Sequence, residues 1–149
     1  MDWLNNTIKP PDDFYYQKAL ARQNQLTKPP GSLGLLEDIA IRLAAMQKTE
    51  TPAIEHIWVS VFAADHGIAA ESVSAFPQVV TTEMVKNFVR DGAAVNVLSR
   101  FVDAQFEVID VGLLQAVDLT AVITDRAGQG TANFAQQAAM TEAQMSISI

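Results

Sequence analysis

The chain contains 149 residues, of which 49% are hydrophobic, and this content is sufficient for a packed core. Its 17 acidic and 10 basic residues give a formal net charge of -7 without a basic cluster, which disfavours a nucleic-acid partner because phosphate neutralisation requires concentrated Lys and Arg. The sequence has no Cys, so disulfides and zinc–thiolate sites are not expected. Its start does not resemble a secretory leader, and no apolar run approaches the roughly 20 residues that span a bilayer. The chain is therefore expected to be a soluble cytoplasmic protein without membrane contact.

The first part of the chain is predicted to be helical. Asp12 or Asp13 can cap a first helix that continues to about Asn24. Ser32 is predicted to cap a second helix that ends near Lys48, because apolar residues recur after it at three- and four-residue steps.

A domain boundary is expected in the Pro-containing stretch of residues 49–55. It would separate an N-terminal helical segment, residues 1–50, which is part of a small domain, from the first half of an α/β domain at residues 51–149. That domain begins with a short apolar run at residues 57–63, rich in β-branched and aromatic side chains. Such a run predicts a strand that is buried on both faces.

The segments after this strand predict a βαβ unit. Thr81 or Thr82 is expected to cap a helix of about 20 residues with a kink or interruption at Gly92, and a second strand follows at residues 106–111. A strand–helix–strand order implies a parallel pair with a right-handed crossover. A weaker third strand is predicted at residues 121–124, and residues 141–149 resemble the start of a helix. The predicted fold class is therefore α/β, with a partial parallel sheet and flanking helices that follow the N-terminal helical segment.

Asp65 and His66 come directly after the first predicted strand, where ligands collect in parallel sheets. A His beside a carboxylate can bind a metal or perform acid–base chemistry. Alternatively, both side chains hold the turn by bonding to backbone. A multi-His metal site is difficult to assemble, because His56 is the one other His and is expected at the opposite end of the strand. The Gly-rich loop at residues 128–131 has a similar ambiguity, since it can bind an anion or simply connect two elements.

The loop after Asp65 and His66 supplies Ser74, Phe76 and Gln78. An aromatic wall with a few orienting polar groups is suited to a flat heterocycle, although the same residues can also form an exposed loop tip without a role. Glu71 and Glu83 flank the loop, and each can be a solvated charge or a base.

Six collinear segments resemble the nicotinate-nucleotide:dimethylbenzimidazole phosphoribosyltransferase family. They are LTKPPGSLG at residues 26–34, ADHGI at 64–68, VSAFPQVVT at 73–81, GAAVNVL at 92–98, VIDVG at 108–112 and GTANF at 130–134. The family's Pro-Ala-Met-Thr pattern follows in part, with Ala138 in place of the proline.

The resemblance implies a homodimer with a Rossmann-like α/β domain and a smaller helical domain. The implied reaction transfers phosphoribose from nicotinate mononucleotide to a benzimidazole, yielding α-ribazole 5′-phosphate and nicotinate without a metal or other cofactor. The family's benzimidazole pocket maps here to Ser74, Phe76, Gln78 and Met84. Asp65 and His66, which follow the first predicted strand, are candidates for shaping the site.

The family's catalytic glutamate and phosphate-binding loop correspond to no position in this sequence. The resemblance places both beyond residue 149, so their roles do not transfer to Glu71 or Glu83. We therefore expect the 149-residue chain to be inactive alone, because without a base and a phosphate cradle the azole and the nucleotide are not activated or positioned.

Two other hypotheses compete with this interpretation. One is a non-catalytic azole-binding or dimerisation module. The other is a metal-dependent hydrolase that uses Asp65 and His66. Retention of a metal would distinguish the hydrolase from both the transferase and the azole-binding module.

Overall fold

The structure is a computed structural model that describes residues 6–148. The chain divides into two compact units, which we call the N-terminal unit, Met1–Glu55, and the α/β unit, His56–Ile149. No helix among the described residues is both long enough and apolar enough to cross a membrane.

The N-terminal unit contains two helices, α1 at Asp13–Gln23 and α2 at Leu35–Gln47. The predicted cap of α1 is confirmed, because the Asp12 side chain accepts a hydrogen bond from the Phe14 N–H at 3.1 Å. A small core of Ala19, Ile41 and Ala44 joins the two helices.

The predicted cap of α2 is wrong. Ser32 lies in the turn before the helix, and Gly34 occupies the capping position with a positive φ of 54°. Glu37 takes over part of the capping role, because its carboxylate accepts a hydrogen bond from the Leu33 N–H at 3.1 Å. The predicted end of the helix is confirmed, since Lys48 follows the last helical residue in a left-handed conformation.

The α/β unit is built on a parallel three-stranded sheet, as the sequence predicts. Its strands are β1 at Trp58–Ala64, β2 at Gln105–Gly112 and β3 at Val122–Thr124, in the order β1-β2-β3. The helices of this unit are α3 at Val79–Val89, α4 at Ala94–Phe101 and α5 at Glu142–Ser148. A core on one face of the sheet includes Ala63, Val85, Val108 and Val122, which joins α3 to all three strands.

The start of α3 differs from the prediction. The helix begins at Val79 with Gln78 at the capping position, instead of after Thr81 or Thr82. Thr82 is inside the helix and only 4% exposed, so it contributes to packing. The chain after Pro77 turns immediately, since the Val80 N–H donates to the Pro77 carbonyl oxygen at 3.0 Å.

The expectation that β1 is buried on both faces is also wrong. Ala63 points into the core, but Phe62 is 66% exposed and Trp58 is 61% exposed on the other face. The reason is that α3 packs against the sheet from the side of the core, and the described residues provide no equivalent layer on the opposite face.

Candidate functional site

The candidate site lies where β1 ends. Asp65 and His66 follow the strand, a short 3-10 turn occupies Gly67–Glu71, and a loop then leads into α3 at Val79. This places the loop and the first turns of α3 at the carboxyl edge of the parallel sheet, where the connections between strands and helices form ligand sites in α/β folds.

A cavity of about 450 Å³ occupies this position. Its volume is within the range of about 300–1,000 Å³ that is typical of small-molecule sites. Every candidate site residue of the sequence lines it, namely Asp65, His66, Ser74, Phe76, Gln78 and Met84. Apolar side chains that complete the wall include Ile68 and Val73. The structure therefore brings the six candidates together around one space.

Gln78 connects the two sides of the cavity entrance. Its Nε2 donates a hydrogen bond to the His66 carbonyl oxygen at 2.7 Å, which ties the start of α3 to the end of β1. The amide oxygen Oε1 has no hydrogen bond to the described residues and remains available as an acceptor. Sequence reasoning identified Gln78 as a polar group of the site but missed this structural bond.

Ser74 organises the loop. Its hydroxyl donates to the Phe76 carbonyl oxygen at 3.0 Å and accepts from the Phe76 N–H at 3.2 Å. This local side-chain turn fixes the backbone beside Phe76, whose ring is 70% exposed at the cavity. Met84 lies in the second turn of α3, and its side chain is 37% exposed. Phe76 and Met84 thus offer apolar surface that nothing in the described chain covers completely.

Asp65 and His66 hold the end of β1 to neighbouring loops. Asp65 is 3% exposed, and its Oδ2 accepts from the Leu114 N–H at 2.9 Å. The Oδ1 atom is buried without a partner among the described residues. The His66 Nδ1 lies 3.3 Å from the Thr131 hydroxyl, and the Gly67 N–H donates to the Thr131 carbonyl oxygen at 2.9 Å.

These bonds place the Gly-rich loop of residues 128–131 beside the ends of β1 and β2. Within residues 6–148, no group of three or more His, Cys, Asp or Glu side chains is placed to hold a metal ion. The arrangement around Asp65 and His66 is that of a turn fixed by hydrogen bonds, with one side open to the cavity.

Neither flanking glutamate lines the cavity. Glu71 accepts from Asn133 Nδ2 at 2.6 Å and from Gln136 Nε2 at 3.2 Å. Glu83 pairs with Lys86 at 2.7 Å on the exposed side of α3. Both carboxylates therefore have structural partners.

Sequence reasoning missed a buried ion pair at the end of β2. Asp110 is completely buried, and its Oδ1 accepts from the N–H groups of Gly112 and Leu113 at 3.0 and 2.9 Å. Its Oδ2 accepts from Arg126 Nε at 2.8 Å and also contacts Arg126 Nη2. The pair fixes the turn after β2, next to the turn that Asp65 fixes. The residues are 16 positions apart, and no local pattern links them.

Comparisons with known proteins identify the family of the chain. A family model described as a phosphoribosyltransferase matches residues 8–149. The chain belongs to this phosphoribosyltransferase family.

The curated relatives of this phosphoribosyltransferase family member carry a more specific name. A nicotinate-nucleotide–dimethylbenzimidazole phosphoribosyltransferase of Xanthomonas oryzae pv. oryzae strain PXO99A is 50% identical over 145 residues, which cover 97% of this chain and 42% of the relative. A protein with the same name from Pseudomonas fluorescens strain SBW25 is 51% identical over 143 residues, covering 95% of this chain and 41% of the relative. The chain thus spans about two-fifths of the length of the curated relatives that it matches.

A solved structure gives the same result for the fold. The nicotinate-nucleotide–dimethylbenzimidazole phosphoribosyltransferase of Thermus thermophilus superposes with a TM-score of 0.87 at 44% identity. The superposition covers 91% of this chain and 42% of that structure. The phosphoribosyltransferase fold is therefore shared over nearly the whole of the present chain.

Proposed function

We propose that this chain supplies the benzimidazole-binding part of a transferase that moves phosphoribose from nicotinate mononucleotide to 5,6-dimethylbenzimidazole. The products are α-ribazole 5′-phosphate and nicotinate, in cobalamin biosynthesis. The observation that carries the proposal is the cavity at the end of β1, which all six candidate site residues line. The names of relatives about 50% identical to the chain support the choice of substrates.

The cavity has the chemistry that a benzimidazole requires. Phe76 and Met84 provide an aromatic and a soft apolar surface for the flat ring system, and aromatic pairs contribute about 0.5–1.5 kcal/mol beyond the area that they bury. The Gln78 Oε1 is available to accept the azole N–H, since the Nε2 already donates to His66. In this proposal Ser74 positions Phe76 through the loop turn, and Asp65 and His66 shape the wall.

The reaction needs more than this binding site. The unprotonated azole nitrogen attacks C1′ of the nucleotide, the C1′–nitrogen bond to nicotinate breaks, and the azole N–H proton passes to a base. The two glutamates that flank the loop, Glu71 and Glu83, are engaged with other side chains and do not line the cavity. The carboxylate that does line it, Asp65, is only 3% exposed and accepts from the Leu114 N–H, which gives it a structural role. We therefore assign binding and orientation of the azole to this chain, and expect no α-ribazole 5′-phosphate from the 149-residue chain alone. Product formation by the purified chain would contradict this assignment.

Three broader features are proposed from the family resemblance. The protein functions as a homodimer, it is located in the cytoplasm, and residues 1–50 form part of a small helical domain. Light scattering after size-exclusion chromatography tests the oligomeric state, and cell fractionation tests the location.

The binding proposal is tested by isothermal titration with 5,6-dimethylbenzimidazole. Phe76→Ala removes the aromatic wall and is expected to weaken binding by about tenfold, which corresponds to about 1.4 kcal/mol. Phe101→Ala is the matched control, because Phe101 is an 87% exposed ring on α4 that does not line the cavity. Equal affinities for wild type and Phe76→Ala would contradict the proposed site.

A further inference from the structure

Thr81 lies in the middle of the wall that α3 contributes to the cavity at the end of β1. Gln78, Thr81 and Met84 all line this cavity and are spaced three residues apart, so they form one row along the helix. At a rise of about 1.5 Å per residue, Thr81 is about 4.5 Å along the helix axis from each of the other two. Thr82 is only 4% exposed and does not line the cavity. Thr81 is therefore the hydroxyl-bearing residue of α3 that borders a bound ring.

The Thr81 hydroxyl has no structural bond within residues 6–148. At the capping position of α3 it would accept a hydrogen bond from an N–H in the first turn of the helix. Because α3 begins at Val79, Thr81 is already inside the helix, and its hydroxyl makes no hydrogen bond to the described residues. The Ser74 hydroxyl differs, since it both donates to and accepts from the Phe76 backbone. The Thr81 hydroxyl is thus available to a ligand.

The surface around Thr81 is mostly apolar. Val80 and Met84 adjoin it on α3, and Ile68 and Val73 line the same cavity from the loop. A ring that fills this space removes water from the hydroxyl, and a hydroxyl that loses water without gaining a partner weakens binding. A ring substituent that bonds to the hydroxyl avoids this loss. Sites with such a group discriminate between ligands that do and do not satisfy it.

We propose that Thr81 is a specificity-determining residue, which widens the range of ligands to benzimidazoles that carry a hydroxyl or amino group on the six-membered ring. This role rests on the proposed function, in which the azole N–H donates to Gln78 Oε1 at one end of the row. The bicyclic ring then extends along α3 towards Met84, and the edge of its six-membered ring passes Thr81. A polar substituent on that edge bonds with the Thr81 hydroxyl, which can both donate and accept. 5,6-Dimethylbenzimidazole binds through apolar contacts and leaves this hydroxyl unpaired.

Isothermal titration with two azoles of nearly the same shape, 5-hydroxybenzimidazole and 5-methylbenzimidazole, tests this role of Thr81. Thr81→Val replaces the hydroxyl with a methyl group and keeps the β-branched shape of the side chain. It is expected to lower the affinity for 5-hydroxybenzimidazole by about tenfold and to leave that for 5-methylbenzimidazole unchanged or slightly higher. Thr81→Ser keeps the hydroxyl and should retain the wild-type ratio of the two affinities.

The matched control is Thr124→Val, because Thr124 is an exposed threonine on β3 that does not line the cavity. It should leave both affinities at their wild-type values. Thr81→Ala covers the case in which the Val variant folds poorly, since Ala favours helix more strongly than any other residue. This variant should also weaken the binding of 5-hydroxybenzimidazole more than that of 5-methylbenzimidazole.

Two results would overturn the role of Thr81, and they differ in what they mean for the proposed function. If both azoles bind to the wild type and the ratio of their affinities is the same in Thr81→Val and Thr81→Ala, the cavity binds azoles but Thr81 does not select among them. If neither azole binds to the wild type and 5,6-dimethylbenzimidazole does not bind either, the proposed function fails and the role of Thr81 fails with it.

Discussion

Removing Arg126 is expected to destabilise the α/β unit strongly. The Arg126 side chain is 16% exposed and that of Asp110 is 1% exposed, so Arg126→Ala leaves a buried carboxylate without its countercharge. Breaking a buried ion pair from one side costs about 3–5 kcal/mol. The lower end applies here, because the N–H groups of Gly112 and Leu113 still donate to Asp110 Oδ1. A loss of about 3 kcal/mol is a large part of the roughly 5–15 kcal/mol that stabilises a typical domain.

Urea unfolding in a Trp3→Phe background measures this loss in the α/β unit, because Trp58 is then the one Trp in the chain. With a slope of about 1–3 kcal/mol per molar urea, Arg126→Ala should lower the midpoint by roughly 1–3 M. Arg126→Lys should lose less, since it keeps the charge but not the two-pronged contact.

Arg100→Ala is the matched control for this series. Arg100 pairs with Asp91 at 3.0 Å, but both side chains are more than half exposed, and such pairs contribute about 0–1 kcal/mol. If Arg126→Ala and Arg100→Ala shifted the midpoint equally, the buried pair would not be what fixes the turn after β2.

Two further substitutions test the loop packing and the N-terminal unit. Gly67→Ala would place a Cβ 2.5 Å from the Asn133 backbone nitrogen, so the bridge to the Gly-rich loop must shift. The free energy of unfolding in urea is expected to fall by about 1–3 kcal/mol. A wild-type midpoint would refute the close approach. The pKa of Glu37 is lowered mainly by its hydrogen bond with the Lys28 ammonium and secondly by its hydrogen bond with the Leu33 N–H. The pair therefore stabilises the fold above the ordinary Glu pKa, and this stabilisation is lost as pH falls through the lowered pKa. Glu37→Gln should therefore lower the melting temperature at neutral pH, and its difference from wild type should vanish in acid. A difference that does not change with pH would contradict this linkage. Asp38→Asn is the exposed control in the same helical turn.

Local sequence signals predict most of the elements of this fold. The apolar run before Asp65 becomes β1, and the strand after the helical region pairs with it in parallel, as expected of a βαβ unit. The predicted helical region of about 20 residues consists of two helices, α3 and α4, separated at residues 90–93 around Gly92. Asp12 caps α1 because its side chain needs only a neighbouring N–H, which is always within reach at that position. Such signals depend on a few consecutive residues, so they survive without knowledge of tertiary packing.

The failed predictions depend on partners that are distant in sequence. The composition of β1 shows that the strand is apolar but does not show whether a second layer of structure covers Phe62. Burial on both faces therefore could not be predicted from the strand itself. The caps at Ser32 and Thr81 follow residue preferences, but Glu37 and the turn after Pro77 set the helix starts instead.

In the candidate site, too, local residue types are predictable from the sequence, whereas contacts between distant residues are not. Residue types alone favour Ser74, Phe76 and Gln78 as groups for a flat ligand, and the structure places them around one cavity. The bond from Gln78 to the His66 carbonyl spans 12 positions, and the contact of Glu71 with Asn133 spans 62. No periodic pattern encodes these contacts, which arise when the loops meet at the end of the sheet.

Mapping of backbone amide chemical shifts during a titration with 5,6-dimethylbenzimidazole tests whether the cavity at the end of β1 binds a benzimidazole. The amides of residues 65–84 should shift together and saturate at one ligand per chain, with those of α4 unchanged. Saturable shifts confined to the exposed face of the sheet around Phe62 or to the N-terminal unit, or no shifts at all, would contradict benzimidazole binding in this cavity.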